Sequence, residues 1–346
     1  MKFLFFITLL SMIACNQESK KNAADFIALS ERLQYQESNE GLKLKSGKFS
    51  YDFRANQLPF KRAVFLNASL LGYVSEIKAE NAVAGVASPE YIYSEKIHNL
   101  IKQGKIQNVG NEQKYDVEKI ISMKPDVIFT NYIASFENTY QLLKTNGIQV
   151  VFLDEYMEQK PLEKTAYIKI FGKLFGKVET AKKRYRDIEK NYNQLKKLAL
   201  KATARPKVLA NEMYGDVWYL PGGKTFTAHY ISDANAEYIL KNNTAENAVT
   251  MSFEEVYAQS GTVQYWINAG NHTSKKELLG INPFYAKLEV FNKGKIYAVT
   301  AKEKGKSNDF FESGVVRADL VLKDYIRIFH PEILQNDPLT YMKEIQ

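Results

Sequence analysis

From Arg62 onward the chain alternates short, uninterrupted apolar runs with longer amphipathic stretches, an order that few architectures accept. Residues 63–67 read as a buried strand, and Leu70, Leu71, Val74 and Ile77 follow at roughly the 3.6-residue period of a helix. Runs at 82–87, 126–130 and 148–153 repeat the strand signal. Between them lie helical stretches at 115–123, which stops before Pro125, and at 140–146, closed by Gly147. Apolar runs without alternation suit strands buried on both faces, so the expectation is an α/β fold with mainly parallel sheets covered by helices.

Pro161 opens a helical region that runs to about residue 204, is rich in Lys, Glu, Ala and Leu, and breaks at 172–176. The alternation then resumes, with strands at 206–210, 265–268 and 295–299 and helices at 228–239, 253–258 and 315–329. Two α/β lobes are expected, at 56–160 and 177–346, joined by a connecting helix at 161–176. A cleft between two lobes is the first place to look for a ligand.

The N-terminus carries a different message. Residues 1–14 hold one charge, Lys2, then an apolar stretch and Ala14, the build of a signal peptide. The stretch is shorter than the ~20 residues a membrane-spanning helix needs. Cys15 is the only cysteine, so no disulfide forms within the chain. Ala14-Cys15 resembles a bacterial lipobox, which implies that Cys15 becomes the lipidated first residue of an exported protein. Met12 and Ile13 depart from the small residues usual there, and an ordinary cleaved signal with a free thiol is the alternative. Residues 15–55 then read as a lipid-anchored tether, polar over 16–22, and a lead-in to the first lobe.

Lys and Arg number 47 against 39 Asp and Glu, a net charge of +8, or +7 for a chain that starts at Cys15. Basic residues interleave with acidic ones and form no arm, which argues against nucleic acid and leaves an anionic ligand or a membrane surface. Gly222-Gly223-Lys224-Thr225 ends like a phosphate loop, but the first glycine of that pattern would fall on Trp218 and the cradle is missing. His98, His229, His272 and His330 are scattered, so no protein-held metal and no cofactor are expected. An enzyme is the rival functional class, with Ser69 as nucleophile and His272 as base; no Gly-x-Ser-x-Gly elbow supports it.

Candidate ligand residues follow from where loops leave strands. Tyr214, Trp218, Tyr219 and Phe226, with Gly222 and Gly223, come just after the first strand of the second lobe, on the edge that faces a cleft. Aromatic faces there suit a planar or chelate ligand. In the first lobe Asn67 and Ser69 leave the first strand at the same edge, and Tyr91 follows the second.

Segments 62–67, 85–86 and 108–110, with Asp116-Val117-Glu118-Lys119-Ile120 and Lys124-Pro125-Asp126-Val127-Ile128-Phe129, carry a family likeness. Their order resembles the N-terminal lobe of substrate-binding proteins of iron-siderophore and cobalamin ABC importers. The likeness continues through 171–177, 218–223, 252–256, 308–316 and 329–332, later segments that look like the lipoprotein branch of Bacteroidetes-type bacteria. It covers about residues 45–335 and rests on order and spacing, not on one decisive motif.

The resemblance implies two Rossmann-like lobes, a rigid connecting α-helix and a ligand cleft between the lobes. It implies a monomeric, periplasm-facing carrier and no enzyme. The cargo would be a metal chelate, a ferric siderophore first and a cobalamin-like corrinoid or haem as the alternative. The partners would be an inner-membrane ABC permease and its ATPase. Glu118 and Glu254 match the two carboxylates with which that family docks on its permease; on the residues alone they are also first-turn glutamates that favour a helix N-terminus. Asn308 and Phe310 fall in a loop that lies near the cleft in similar proteins, and Arg317 is a source of positive charge beside it.

Overall fold

The computed structural model describes residues 25–111 and 113–346. The signal peptide at 1–14 and the lipidation of Cys15 lie outside the described residues.

The first lobe is built on five parallel strands in the order Gln149–Phe152, Val127–Thr130, Ala63–Phe65, Val83–Val86 and Gln107–Asn108. Every residue of Ala63–Phe65, Val83–Val86 and Val127–Thr130 is buried, as runs without alternation require. The first strand in sequence sits between the second and the fourth. Strand order therefore reverses between Ala63–Phe65 and Val127–Thr130, and loops leaving their carboxyl ends diverge and open a crevice.

The second lobe repeats the device. Glu237–Tyr238, Lys207–Ala210, Tyr265–Ile267 and Lys295–Ala298 run parallel, and Lys343–Ile345 closes the edge antiparallel. Its reversal lies between Lys207–Ala210 and Tyr265–Ile267. Asn211 and Asn268 leave those two strands with φ of 59° and 54°, a left-handed turn that asparagine tolerates better than most residues. The chain is thus the two-lobed α/β protein with mainly parallel sheets that its pattern implies.

Three features differ from the sequence reading. The helix that joins the lobes is Val178–Ala199, not 161–176. Its buried residues Ala181, Ile188, Tyr192 and Ala199 lie on one helical stripe. The first two enter the core of the first lobe and the last two that of the second. Pro161–Leu174 instead packs Tyr167, Ile168, Ile170 and Phe171 into the first core. The two helices cross at Gly172, where a Cβ would stand 2.4 Å from that of Ala181.

The lead-in is also structured. Leu33–Ser38, Gly41–Ser46 and Phe49–Arg54 form an antiparallel meander with a short edge strand, Ile27–Ala28. Leu42, Leu44 and Phe53 reach the first core while Lys43 and Lys45 face water.

The third difference is a crossing. After Lys295–Ala298 the chain returns to the first lobe, where Val316 of the short Ser313–Val316 helix joins the first core. Gly72 admits it: a Cβ there would meet the Glu312 carbonyl oxygen at 2.2 Å. Among the described residues no helix is long and apolar enough to cross a membrane.

Candidate functional site

A cavity of about 530 Å³, within the range of small-molecule sites, opens where the carboxyl ends of the two parallel sheets converge. Its floor comes from three strand ends of the first lobe. Asn67, two residues beyond its strand, accepts the Ser69 N–H on Oδ1 at 2.9 Å and so turns the chain. Its Nδ2 donates to Asn131 Oδ1. Asn131 Nδ2 donates to the Leu153 carbonyl at 2.5 Å and to Glu155 Oε2 at 3.0 Å, and Ser69 Oγ donates to Glu155 Oε1 at 2.7 Å. Both oxygens of this buried carboxylate are therefore held. Burial raises the Glu155 carboxyl above its usual range, opposed by the Ser69 hydrogen bond, the positive charge of Lys164 and the Asn131 hydrogen bond.

Lys164 enters the cavity from the Pro161–Leu174 helix and is only 8% exposed. Its Nζ lies 3.7 Å from the centre of the Phe226 ring. Among the described residues no hydrogen bond or ion pair involves its ammonium. Burial lowers the group to about 8, against the pull of Glu155. The walls are aromatic: Tyr91, Tyr156 and Phe311 at the exposed rim, and Phe226, Tyr230 and Phe310 deeper in. Asn271, Lys306 and Asn308 complete the polar lining. Asn308 is spent on the backbone, donating to the Val299 carbonyl at 2.6 Å and accepting the Phe310 N–H at 3.0 Å.

Of the residues selected from sequence, Asn67, Ser69, Tyr91, Phe226, Asn308 and Phe310 stand on the cavity wall. The others do not, each for a physical reason. Trp218 lies on the antiparallel strand Val217–Pro221, whose alternation turns it inward. It is wholly buried, donates to the Ala210 carbonyl at 3.2 Å and packs on Trp266 and Tyr285. Tyr214 and Tyr219 belong to the same small sheet but face solvent, 83% and 44% exposed. Gly222 and Gly223 let the chain pass under neighbouring carbonyls, since Cβ atoms there would meet Ala245 O at 2.4 Å and Asn243 O at 2.2 Å. Arg317 makes two 2.9 Å hydrogen bonds to Asp319 and lies near Glu76.

Asn131, Glu155, Lys164, Tyr230 and Asn271 were missed. Asn131 and Glu155 follow the fourth and fifth strands as Asn67 follows the first, a repetition that could have exposed them. Lys164 falls on the apolar stripe of its helix, in line with Ile168 and Phe171. The imagined catalytic pair does not meet: Ser69 bonds Glu155, and His272 Nε2 lies 2.7 Å from Glu212 Oε2. Among the described residues no group of three His, Cys, Asp or Glu is placed to hold a metal.

Glu118 and Glu254 occupy equivalent places, one in each lobe. Each is the exposed second residue after a side-chain N-cap, Asp116 for Val117–Met123 and Ser252 for Phe253–Ser260. Glu255 is committed to the capping box, accepting the Ser252 N–H at 2.7 Å, while Glu254 has no partner among the described residues.

The profile of the family described as periplasmic binding protein matches residues 64–303. Uncharacterized lipoprotein MJ0878 of Methanocaldococcus jannaschii is 24% identical over 294 residues, which cover 82% of this chain and 69% of that protein. Among solved structures, a periplasmic heme binding protein from Pseudomonas aeruginosa superposes with a TM-score of 0.61 at 17% identity, covering 83% of this chain and 98% of the other. The Fe3+–Desferal-bound siderophore binding protein FhuD from Vibrio cholerae gives 0.55 at 16% identity, covering 81% and 100%. At such identities the structural likeness concerns the fold.

Proposed function

The chain belongs to the periplasmic binding protein family, and from that premise we propose that it captures a ferric chelate between its lobes and delivers it to a membrane permease. It is a binding protein and not an enzyme. A ferric siderophore is the first ligand; haem or a corrinoid is the second. The observation that carries this reading is the cavity itself, walled by aromatic rings and fed by the strand ends of both lobes. Its polar groups are amides, the hydroxyls of Ser69, Tyr91, Tyr156 and Tyr230, one held carboxylate and two lysines, a set that suits the outside of a chelate, and among the described residues no group of three His, Cys, Asp or Glu is placed to hold a bare ion. Two solved proteins of this fold are described as binding haem and Fe3+–Desferal, which agrees with that choice.

In this reading residues 1–14 are removed, Cys15 is lipidated and the two lobes work at a membrane surface as a monomer. The net charge of +7 favours an anionic complex. Glu118 and Glu254 meet basic pockets of the permease. Two charge contacts at separated points fix orientation and speed encounter more than they add affinity, which suits a carrier that must let go.

The direct test is calorimetric titration of the chain lacking residues 1–15 with a ferric hydroxamate, a ferric catecholate, haem and cobalamin, each beside its metal-free form. Saturable binding of one chelate at micromolar or lower concentration, with the metal-free form weaker, is the expected result. Heat from none of the panel would remove the chelate from the proposal and leave a binding protein of this fold.

A further inference from the structure

An ammonium buried without an acceptor is costly, and folds retain one where something outside the protein completes it. Lys164 comes close to this case: the residue is 8% exposed, and the surface its ammonium keeps is open to the cavity. Its three N–H donors have no hydrogen-bond acceptor among the described residues, and Phe226 covers it on one side at 3.7 Å. It also lines the cavity. The nearest opposite charge, Glu155, is no substitute. That carboxylate already receives hydrogen bonds on both oxygens, and among the described residues no ion pair joins it to Lys164. The backbone of Lys164 is fixed as well, its carbonyl accepting the Tyr73 hydroxyl at 2.9 Å.

Resting on the function proposed above, we infer that Lys164 is the ligand-selecting cation of the cavity, and that the cargo carries a free carboxylate or like oxyanion beside an apolar body. Glu155, Lys164 and Lys306 are the charged residues of the lining, a formal sum of +1, which one anionic arm neutralises. The apolar body rests on Phe226 and Phe310 while the arm reaches Lys164. Glu155 sets the limit: a second anion at the same depth would meet a buried negative charge. A neutral chelate of the same shape gains the aromatic contact alone.

The test compares the protein with its Lys164→Met variant, which keeps the stem over Phe226 and removes the charge. Haemin is set against its dimethyl ester, and a ferric hydroxamate bearing a free carboxylate against one that lacks it, so that both sources of the carboxylate are covered. Lys164→Met is expected to weaken the carboxylate-bearing chelate by about 10- to 100-fold and to leave its neutral counterpart within twofold. Equal affinity of the two proteins for a carboxylate-bearing chelate overturns the inference.

A second readout does not depend on any chelate. In protein labelled at the lysine Cε, the resonance lost in Lys164→Met is followed during titration with benzoate and with benzamide. A saturable shift with benzoate only supports the anion subsite, even if every chelate in the panel fails and the chelate reading falls. No shift, or the same shift with both, overturns the subsite.

Discussion

Glu312, far along the chain, accepts the backbone N–H of Tyr93 in the first lobe at 2.6 Å, and that of Ser94 at 3.3 Å. The contact ties the crossing segment to the first lobe beside the cavity. Burial pushes the Glu312 carboxyl from an ordinary 4.5 up to about 7, the two N–H groups pull it down, and Asp309 adds to the rise. A carboxyl with a raised folded value binds its proton more tightly in the fold than in the unfolded chain. Its share of stability is therefore full below 4.5, is lost between 4.5 and about 7, and stays lost above. That difference is worth about 3 kcal/mol. Denaturant titrations across pH 4 to 8 should show the native protein losing that much relative to Glu312→Gln, whose amide oxygen still accepts both N–H groups. Parallel profiles for the two proteins would refute the assignment.

Glu118 and Glu254 offer a separation of functions. Both are exposed and partnerless among the described residues, so Ala at both positions should change stability by less than about 0.5 kcal/mol each and leave chelate affinity intact. Uptake by cells that depend on the protein should be abolished. Normal uptake by the double variant would end the docking assignment, whereas lost affinity would place the two residues elsewhere in the mechanism.

Trp218 is part of a core and not of a binding surface. Its indole packs against Trp266 at 5.4 Å and Tyr285 at 5.4 Å, and its N–H is satisfied by Ala210. Trp218→Phe should therefore cost about 1–3 kcal/mol of stability in chemical denaturation, through a partial void and an orphaned carbonyl. Ligand affinity should stay within twofold by calorimetry. A tenfold weaker complex in a fully folded variant would return Trp218 to the site.

The first-lobe edge of the cavity was legible because it depends on a local rule. Asn67 and Ser69 follow an uninterrupted apolar strand, and loops at such ends face the crevice of a parallel sheet. Trp218 was misread because Val217–Pro221 belongs to an antiparallel insertion, where alternation and not loop position decides what faces the core. The meander over 27–54 was overlooked although Leu42 and Leu44 alternate with Lys43 and Lys45, the signal of a half-buried strand. Glu155 and Lys164 were the hardest to see. In a linear reading they are one acid among Asp154, Glu155 and Glu158 and one base among Lys160 and Lys164, and only the packing distinguishes a buried charge from a solvated one.

Lys164 also fixes a pH dependence of binding. Burial lowers its ammonium from 10.5 to about 8, and Glu155 opposes the fall. Above about 8 the amine is neutral and the attraction for an anionic arm fades. The other titratable groups of the cavity are Glu155, Lys306 and the hydroxyls of Tyr91, Tyr156 and Tyr230, the last held well above its ordinary 10 by burial. Binding of a ligand also shields Lys164, and an anion bound to it holds the proton in place, so the complex should lose its charge at a higher pH than the free protein. For a carboxylate-bearing chelate that does not itself titrate, affinity should hold from pH 6 to 7.5 and decline about tenfold for each pH unit beyond the free amine's midpoint, until the complex titrates. The neutral counterpart should show no such decline, and neither should Lys164→Met with either ligand. Calorimetry at pH 7 and pH 9 decides: a flat profile for the native protein would mean that the ammonium does not face the ligand, while a decline shared by the Met variant would trace the effect to another group of the cavity.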